Sequence, residues 1–174
     1  ASVRNSTLAP NFLRLRYLST LIIGQDMIQS YIYQMGDSSR LLRRAFDARM
    51  RQLGVTGPQA RLLLELSKAE GENQGHYAER LEVEPITLCR MVDRMEESGL
   101  LERRRDPADR RAWRVHLTPR SRIMIDRLRE GVAQLEQDML AGLDEDARQQ
   151  FSQVMDMIRA NLAQPLETEL SDHG

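Results

Sequence analysis

Apolar residues recur along most of this chain at spacings of three and four, the pattern of helices with one buried face. From about Asp26 to Leu53 the series is Ile28, Ile32, Met35, Leu42, Phe46, Met50 and Leu53. Gly36-Asp37-Ser38 lies inside it, a point where the helix is interrupted or restarts, since Asp and Ser cap new helices well. After Gly54, Thr56-Gly57-Pro58 opens a second helix, with Thr56 or Gly57 as cap and Pro58 near its first position. Ala60, Leu63, Leu64 and Leu66 form its apolar set, and Gly71 closes it. Glu72–Gln74 reads as a short strand, and a helix starting near Gly75 buries Ala78 and Leu81.

Val83-Glu84 then make a turn, and Pro85, tolerated in a first helical turn, starts a helix to about Ser98. Leu88, Met91, Val92 and Met95 are its buried stripe, which leaves Ile86, Thr87, Cys89, Arg90, Asp93 and Arg94 outward. The period then changes from helical to two. Leu100–Arg105 and Ala112–Thr118 read as hairpin strands around the polar loop Asp106–Arg111. In the second strand Trp113, Val115 and Leu117 point one way, Arg114 and His116 the other. Thr118-Pro119 opens a long helix with Ile123, Ile125, Leu128, Val132, Leu135 and Met139, which stops near Gly142. Leu143-Asp144 opens the last, with Ala147, Phe151, Val154, Ile158 and Leu162, ending at Pro165.

The fold class is therefore mainly α with a small β-hairpin. The helix-turn-helix with a hairpin beside it is a winged helix-turn-helix, and the N- and C-terminal helices form a dimerisation region. Residues 1–25 are read as an N-terminal extension that packs on the body or a partner; their apolar run is short, broken by charge and without a convincing cleavage site. Residues 26–55 and 119–165 are assigned to the helical dimerisation region, 56–118 to the DNA-binding domain and 166–174 to a polar tail. The central segment is small, while the arms outside it carry long stripes that need a partner to bury them.

Composition changes this picture in two places. The 25 basic and 26 acidic side chains leave a net charge of −1, unpromising for a DNA binder until the charge is mapped. Eight arginines fall between Arg103 and Arg122, opposed within that run only by Asp106 and Asp109. Local charge sets the electrostatic footprint on nucleic acid. Cys89 is the only cysteine, which excludes an intramolecular disulfide and fits a reducing compartment, here the cytoplasm. No apolar stretch reaches the length of a membrane span.

Three stretches together resemble the MarR family of winged-helix transcription regulators: Leu53–Ala60, Thr87–Leu100, and Arg105–Ala112 leading to Val115–Pro119. They occur in the family's order at its separations, and the likeness extends over about Asp26 to Leu162. The resemblance implies an obligate homodimer with interleaved first and last helices, a recognition helix beginning at Pro85, and a wing at Asp106–Arg111. It also implies a DNA operator of pseudo-palindromic form and a small, hydrophobic or aromatic effector that releases it, most often from repression. Two departures stand out. Cys89 replaces the more usual Ser or Thr, and the residues before Met27 have no clear counterpart.

The DNA-binding set expected on these grounds is Ile86, Thr87, Cys89, Arg90 and Arg94 on the helix, and Arg105, Asp109, Arg110, Arg111 and Arg114 on the wing. Arginine forks onto guanine in the major groove, and a minor-groove arginine gains from the enhanced negative potential there. Asp109 is read as the carboxylate that holds Arg111 in its inserting pose. Cys89 also permits a thiol-based redox sensor, although sensing cysteines of this family lie in the first helix, where this chain has none. An architectural DNA-binding protein with little sequence preference is the remaining alternative. No catalytic residues are expected, since phosphate loop, nucleophile–base pair and metal cluster are all lacking from the motifs. No cofactor or metal is expected either; His76, His116 and His173 are scattered over different elements. The position of the effector site is not assigned.

Overall fold

A computed structural model of the chain describes residues 30–109 and 112–163. The extension 1–25, the expected helix start at Asp26, Arg110 and Arg111 of the wing, Pro165 and the tail 166–174 lie outside the described residues. In order, the elements are α1 (Tyr31–Gln52), α2 (Gly57–Leu66), α3 (Gln74–Arg80), α4 (Pro85–Glu97), β1 (Leu101–Arg105), β2 (Trp113–Leu117), α5 (Pro119–Met139) and α6 (Glu145–Ala163). The chain divides into two compact units, the first ending at Leu128 and the second beginning at Arg129, so the boundary falls within α5.

Helix starts in the first unit follow local chemistry. Thr56 caps α2 in a reciprocal box: its side chain accepts from the Gln59 amide, and the Gln59 side chain accepts from the Thr56 amide at 2.9 Å. Gly57 lets α1 come close, because a Cβ there would meet the Asp47 Oδ1 at 1.7 Å. Thr118 does for α5 what Thr56 does for α2, accepting from the Ser121 amide while its hydroxyl donates to the Gly99 carbonyl. The core joins Met50 of α1, Leu62, Leu63 and Leu66 of α2, Tyr77 of α3, the α4 stripe, Leu101, Val115 and Leu117 of the hairpin, and Ile125 and Leu128 of α5.

Several expectations are corrected. The first helix runs unbroken through Gly36-Asp37-Ser38, where Asp37 pairs forward with Arg40 one turn on instead of capping a new start. In α2 Leu62 is fully buried and Leu64 only partly, so the stripe is wider than a strict three-four spacing. Tyr77 rather than Leu81 is the main anchor of α3; its hydroxyl donates to the Ala69 carbonyl at 2.6 Å, and burial raises its pKa. Glu72–Gln74 is not a strand. Only Asn73 bridges to Arg114, because the Asn73 side chain accepts from the His76 amide and turns the chain into α3 at once. Trp113 lies on the expected side of β2 but is exposed, since at the hairpin's outer end the core no longer reaches it.

The second unit is a helical hairpin. Gly142 takes φ 86 at the bend, the Asp144 side chain accepts from the Ala147 amide, and Arg148 donates back to the Leu143 carbonyl at 3.0 Å. No side chain of α6 is buried.

Candidate nucleic-acid interface

The turn between α3 and α4 is made without glycine. Glu82 takes φ 52, and the Val83 amide donates to the Ala78 carbonyl, closing the helix end as a left-handed residue normally does. Pro85 starts α4, whose buried residues are the four expected ones. Opposite them stand Ile86, Thr87, Arg90, Asp93 and Arg94, exposed, with Cys89 half-buried at the margin. At about 100° per residue, Ile86, Arg90, Asp93 and Glu97 form the crest of the outward face, and Thr87, Arg94 and Cys89 flank it. Arg94 folds back, its Nε donating to the Arg90 carbonyl at 3.1 Å. The Arg90 guanidinium meets no hydrogen-bond partner among the described residues.

Three arginines of the basic cluster, Arg103, Arg104 and Arg122, are answered by acids outside its own run. Arg103 sits between strand and helix: its guanidinium reaches Asp93 and Glu96 at 2.5 Å each, and its amide donates to Glu96 at 2.9 Å. Burial works against this charge, but the two carboxylates outweigh it and raise the Arg103 pKa. Arg104 pairs with Glu102, and Arg120 donates to the Ser98 carbonyl. Glu70 receives Arg122 at 2.7 Å and the Leu117 amide at 3.1 Å. Burial pushes the Glu70 carboxyl up; Arg122, the Leu117 amide and His116 together bring it below its ordinary value.

The hairpin is antiparallel, with Leu101 opposite Leu117 and Arg105 opposite Trp113. Alternation sends Arg105 and Arg114 to opposite faces, so these two expected contacts do not share one surface. The Arg105 guanidinium lies over the Trp113 ring at 5.0 Å. Arg114 is held at 2.7 Å by Asp106, whose other oxygen accepts from the Ala108 amide. Arg114 first, then that amide, lower the Asp106 pKa. Backbone bonds from Asp106 to the Ala112 carbonyl and from Ala112 to the Asp109 carbonyl close the base of the loop. Asp109 is exposed; its expected pairing with Arg111 falls outside the described residues, as does Arg110.

Sequence reasoning missed Asp93, Glu96, Arg103 and Asp106 as the parts that fix the interface. A signal for Arg103 existed: it shares the inward side of β1 with Leu101. Among the described residues there is no cluster of His, Cys, Asp or Glu able to hold a metal, and no helix long and apolar enough to cross a membrane.

A helix-turn-helix braced against a two-stranded hairpin defines a winged helix-turn-helix protein. The family model for the MarR family matches residues 53–112, from the end of α1 to the wing. The HTH-type transcriptional repressor MdtR of Bacillus subtilis (strain 168) is 32% identical over 120 residues, 69% of this chain and 75% of that protein. Among solved structures, the transcriptional regulator PA3341 is 31% identical with a TM-score of 0.65, over 76% of this chain and 98% of that one. The transcriptional repressor CouR, solved bound to a 23-mer DNA duplex, is 26% identical with a TM-score of 0.69, over 80% and 96% respectively. The chain belongs to the MarR family and is a transcription regulator of that family.

Proposed function

We propose that this regulator is a sequence-specific repressor that binds double-stranded DNA as a homodimer, over a pseudo-palindromic operator, in the cytoplasm. The observation that carries the reading is the outward face of α4, where apolar (Ile86), hydroxyl (Thr87), guanidinium (Arg90, Arg94) and carboxylate (Asp93, Glu97) groups stand exposed opposite a buried stripe. Such a face suits base edges better than a purely cationic one, which would favour the backbone alone. Arg90 is assigned to a base edge or phosphate, with Ile86, Thr87, Cys89 and Arg94 beside it. Arg105, Asp109, Arg110, Arg111 and Arg114 are assigned to the wing, with Arg111 in the minor groove.

Dimerisation is supported by the exposed apolar surfaces of α1 (Tyr31, Ile32, Leu41) and of α6 (Phe151, Val154, Met157, Leu162). Two α4 helices would then lie about 34 Å apart, one turn of DNA. A small hydrophobic or aromatic effector that prefers a different spacing would release the operator; a coupling of about 1–3 kcal/mol is enough.

The test is selection of duplexes from a randomised pool, followed by titration of the enriched and a shuffled duplex in the same salt. An affinity ratio of about 10³ or more supports specific reading. Equal affinities would make the protein architectural. Peroxide sensitivity of binding that disappears in Cys89→Ser would assign a redox sensor instead.

A further inference from the structure

We propose that Ile86 reads the 5-methyl group of a thymine, one or two base pairs from the base contacted by Arg90. The inference rests on the DNA-reading assignment of α4 and adds a base identity to it.

Ile86 is 61% exposed on the first turn of α4, at the crest of the outward face. Between residues 57 and 118 only one other large apolar side chain is exposed among the described residues, Trp113, and it carries the Arg105 guanidinium. The remaining exposed large apolar residues lie on α1, α5 and α6 and at Leu143. Within the reading head, Ile86 is therefore the one large apolar group offered to solvent without a charged group stacked on it. A β-branched side chain in a helix keeps essentially one χ1 rotamer, so presenting it costs little side-chain entropy. The apolar feature of a major groove is the thymine methyl, which is read by apolar contact.

Charge along the crest places Ile86 at the DNA end. Its N-terminal half carries Ile86 and Arg90, while Asp93 and Glu97 occupy the C-terminal half, and Asp93 is already engaged by Arg103. Phosphates would favour the first half and repel the second. Residues 86 and 90 are one turn apart, about 6 Å along the axis, and base pairs are spaced by about 3.4 Å. The thymine and the base met by Arg90 thus fall within two steps of each other.

A duplex enriched from the randomised pool by the wild-type protein is resynthesised with deoxyuridine replacing each thymine in turn. Wild type, Ile86→Val and Ile86→Ala are titrated against every duplex, with melting curves confirming that the exposed site tolerates both changes. At one thymine per half-site, loss of the methyl should weaken wild type about fourfold, the equivalent of about 0.8 kcal/mol for one buried methyl. Ile86→Ala should bind the thymine and uracil duplexes alike, and Ile86→Val should retain most of the discrimination. An enriched site at which every methyl is dispensable, or at which Ile86→Ala discriminates as strongly as wild type, overturns the role of Ile86 and leaves the DNA-reading of α4 standing. A pool from which no sequence is enriched overturns both.

Discussion

α4 and α6 are built on the same pattern and end differently. Each is amphipathic, with apolar residues at spacings of three and four. In α4 the stripe Leu88, Met91, Val92 and Met95 is buried within the chain, whereas α6 buries none of its residues although Phe151, Val154, Ile158 and Leu162 follow the same spacing. Periodicity shows that a face needs covering; it does not show by what. Both helices have side-chain caps nearby, Asn73 ahead of α3 and Asp144 ahead of α6, but α4 is also tied to a neighbouring element by Arg103, which joins strand to helix. The region around α4 is thus held by contacts within the chain, whereas α6 leaves its apolar side chains uncovered.

The contrast is tested most severely by disrupting both stripes, one by truncation and one by a charge. Leu88→Ala removes a fully buried side chain and should lower stability by about 2–5 kcal/mol, read as the urea midpoint at fixed protein concentration. Phe151→Asp should leave helix content unchanged and shift the mass in sedimentation from dimer to monomer, because the residue is exposed in the single chain. A Phe151→Asp protein that stays dimeric at the same concentration would mean that α6 is not the covered face. If Leu88→Ala were neutral, the core assignment itself would be wrong.

The next effect is smaller and belongs to the reading head alone. Arg103→Ala leaves Asp93 and Glu96 without their cation, one of them on the crest of α4. Because Asp93 is half exposed, the expected loss is about 1–2 kcal/mol of stability. DNA affinity should fall further than stability predicts, since a freed carboxylate then faces phosphate. Arg103→Ala combined with Asp93→Asn should recover part of the affinity; a double variant no better than the single one would remove Asp93 from the interface.

Smaller again is the acid sensitivity of the Glu70 junction. Its folded-state pKa is below the ordinary 4.5, so the unfolded chain takes up the proton first. The stability it contributes is complete above the unfolded value and is lost as pH falls through the folded one. Wild type should exceed Glu70→Gln by about 0.5–1 kcal/mol at pH 7, and the gap should close below pH 4.5. A gap independent of pH would mean that the side chain acts by packing and not by charge.

Most of this architecture was legible, for identifiable reasons. Burial of α4 could be read because four apolar residues at three-four spacing admit one face only. The helix starts at Thr56-Gly57-Pro58 and Thr118-Pro119 could be read because a capping residue ahead of proline is a local signal; the choice of Thr56 over Gly57 is settled by the bond returned from Gln59. What could not be read was any feature made across sequence distance. Arg103 and Asp93 are ten residues apart, Glu70 and Arg122 fifty-two, and no local pattern announces either pair. Counting arginines between 103 and 122 therefore overstated the free positive charge. The strand expected at Glu72–Gln74 failed for the opposite reason, since the cap at Asn73 is a stronger local preference than a three-residue strand.

The smallest prediction concerns where the two regions place backbone strain. Among the described residues Glu82 is the one non-glycine with positive φ, and it lies in the turn of the reading head; the bend of the arm at Gly142 uses glycine. A left-handed residue with a Cβ costs about 1–2 kcal/mol, while glycine in its place loses about 0.5–1 kcal/mol through the greater freedom of the unfolded chain. The difference favours Glu82→Gly by about 0.5 kcal/mol, a rise in urea midpoint with no change in slope. Gly142→Ala, which puts a Cβ at φ 86, should do the reverse and by more. The measurement has a clear failure mode. If Glu82→Gly destabilises, the Glu82 side chain contributes more than its backbone costs, and strain is not what distinguishes the turn of the reading head from the bend of the arm.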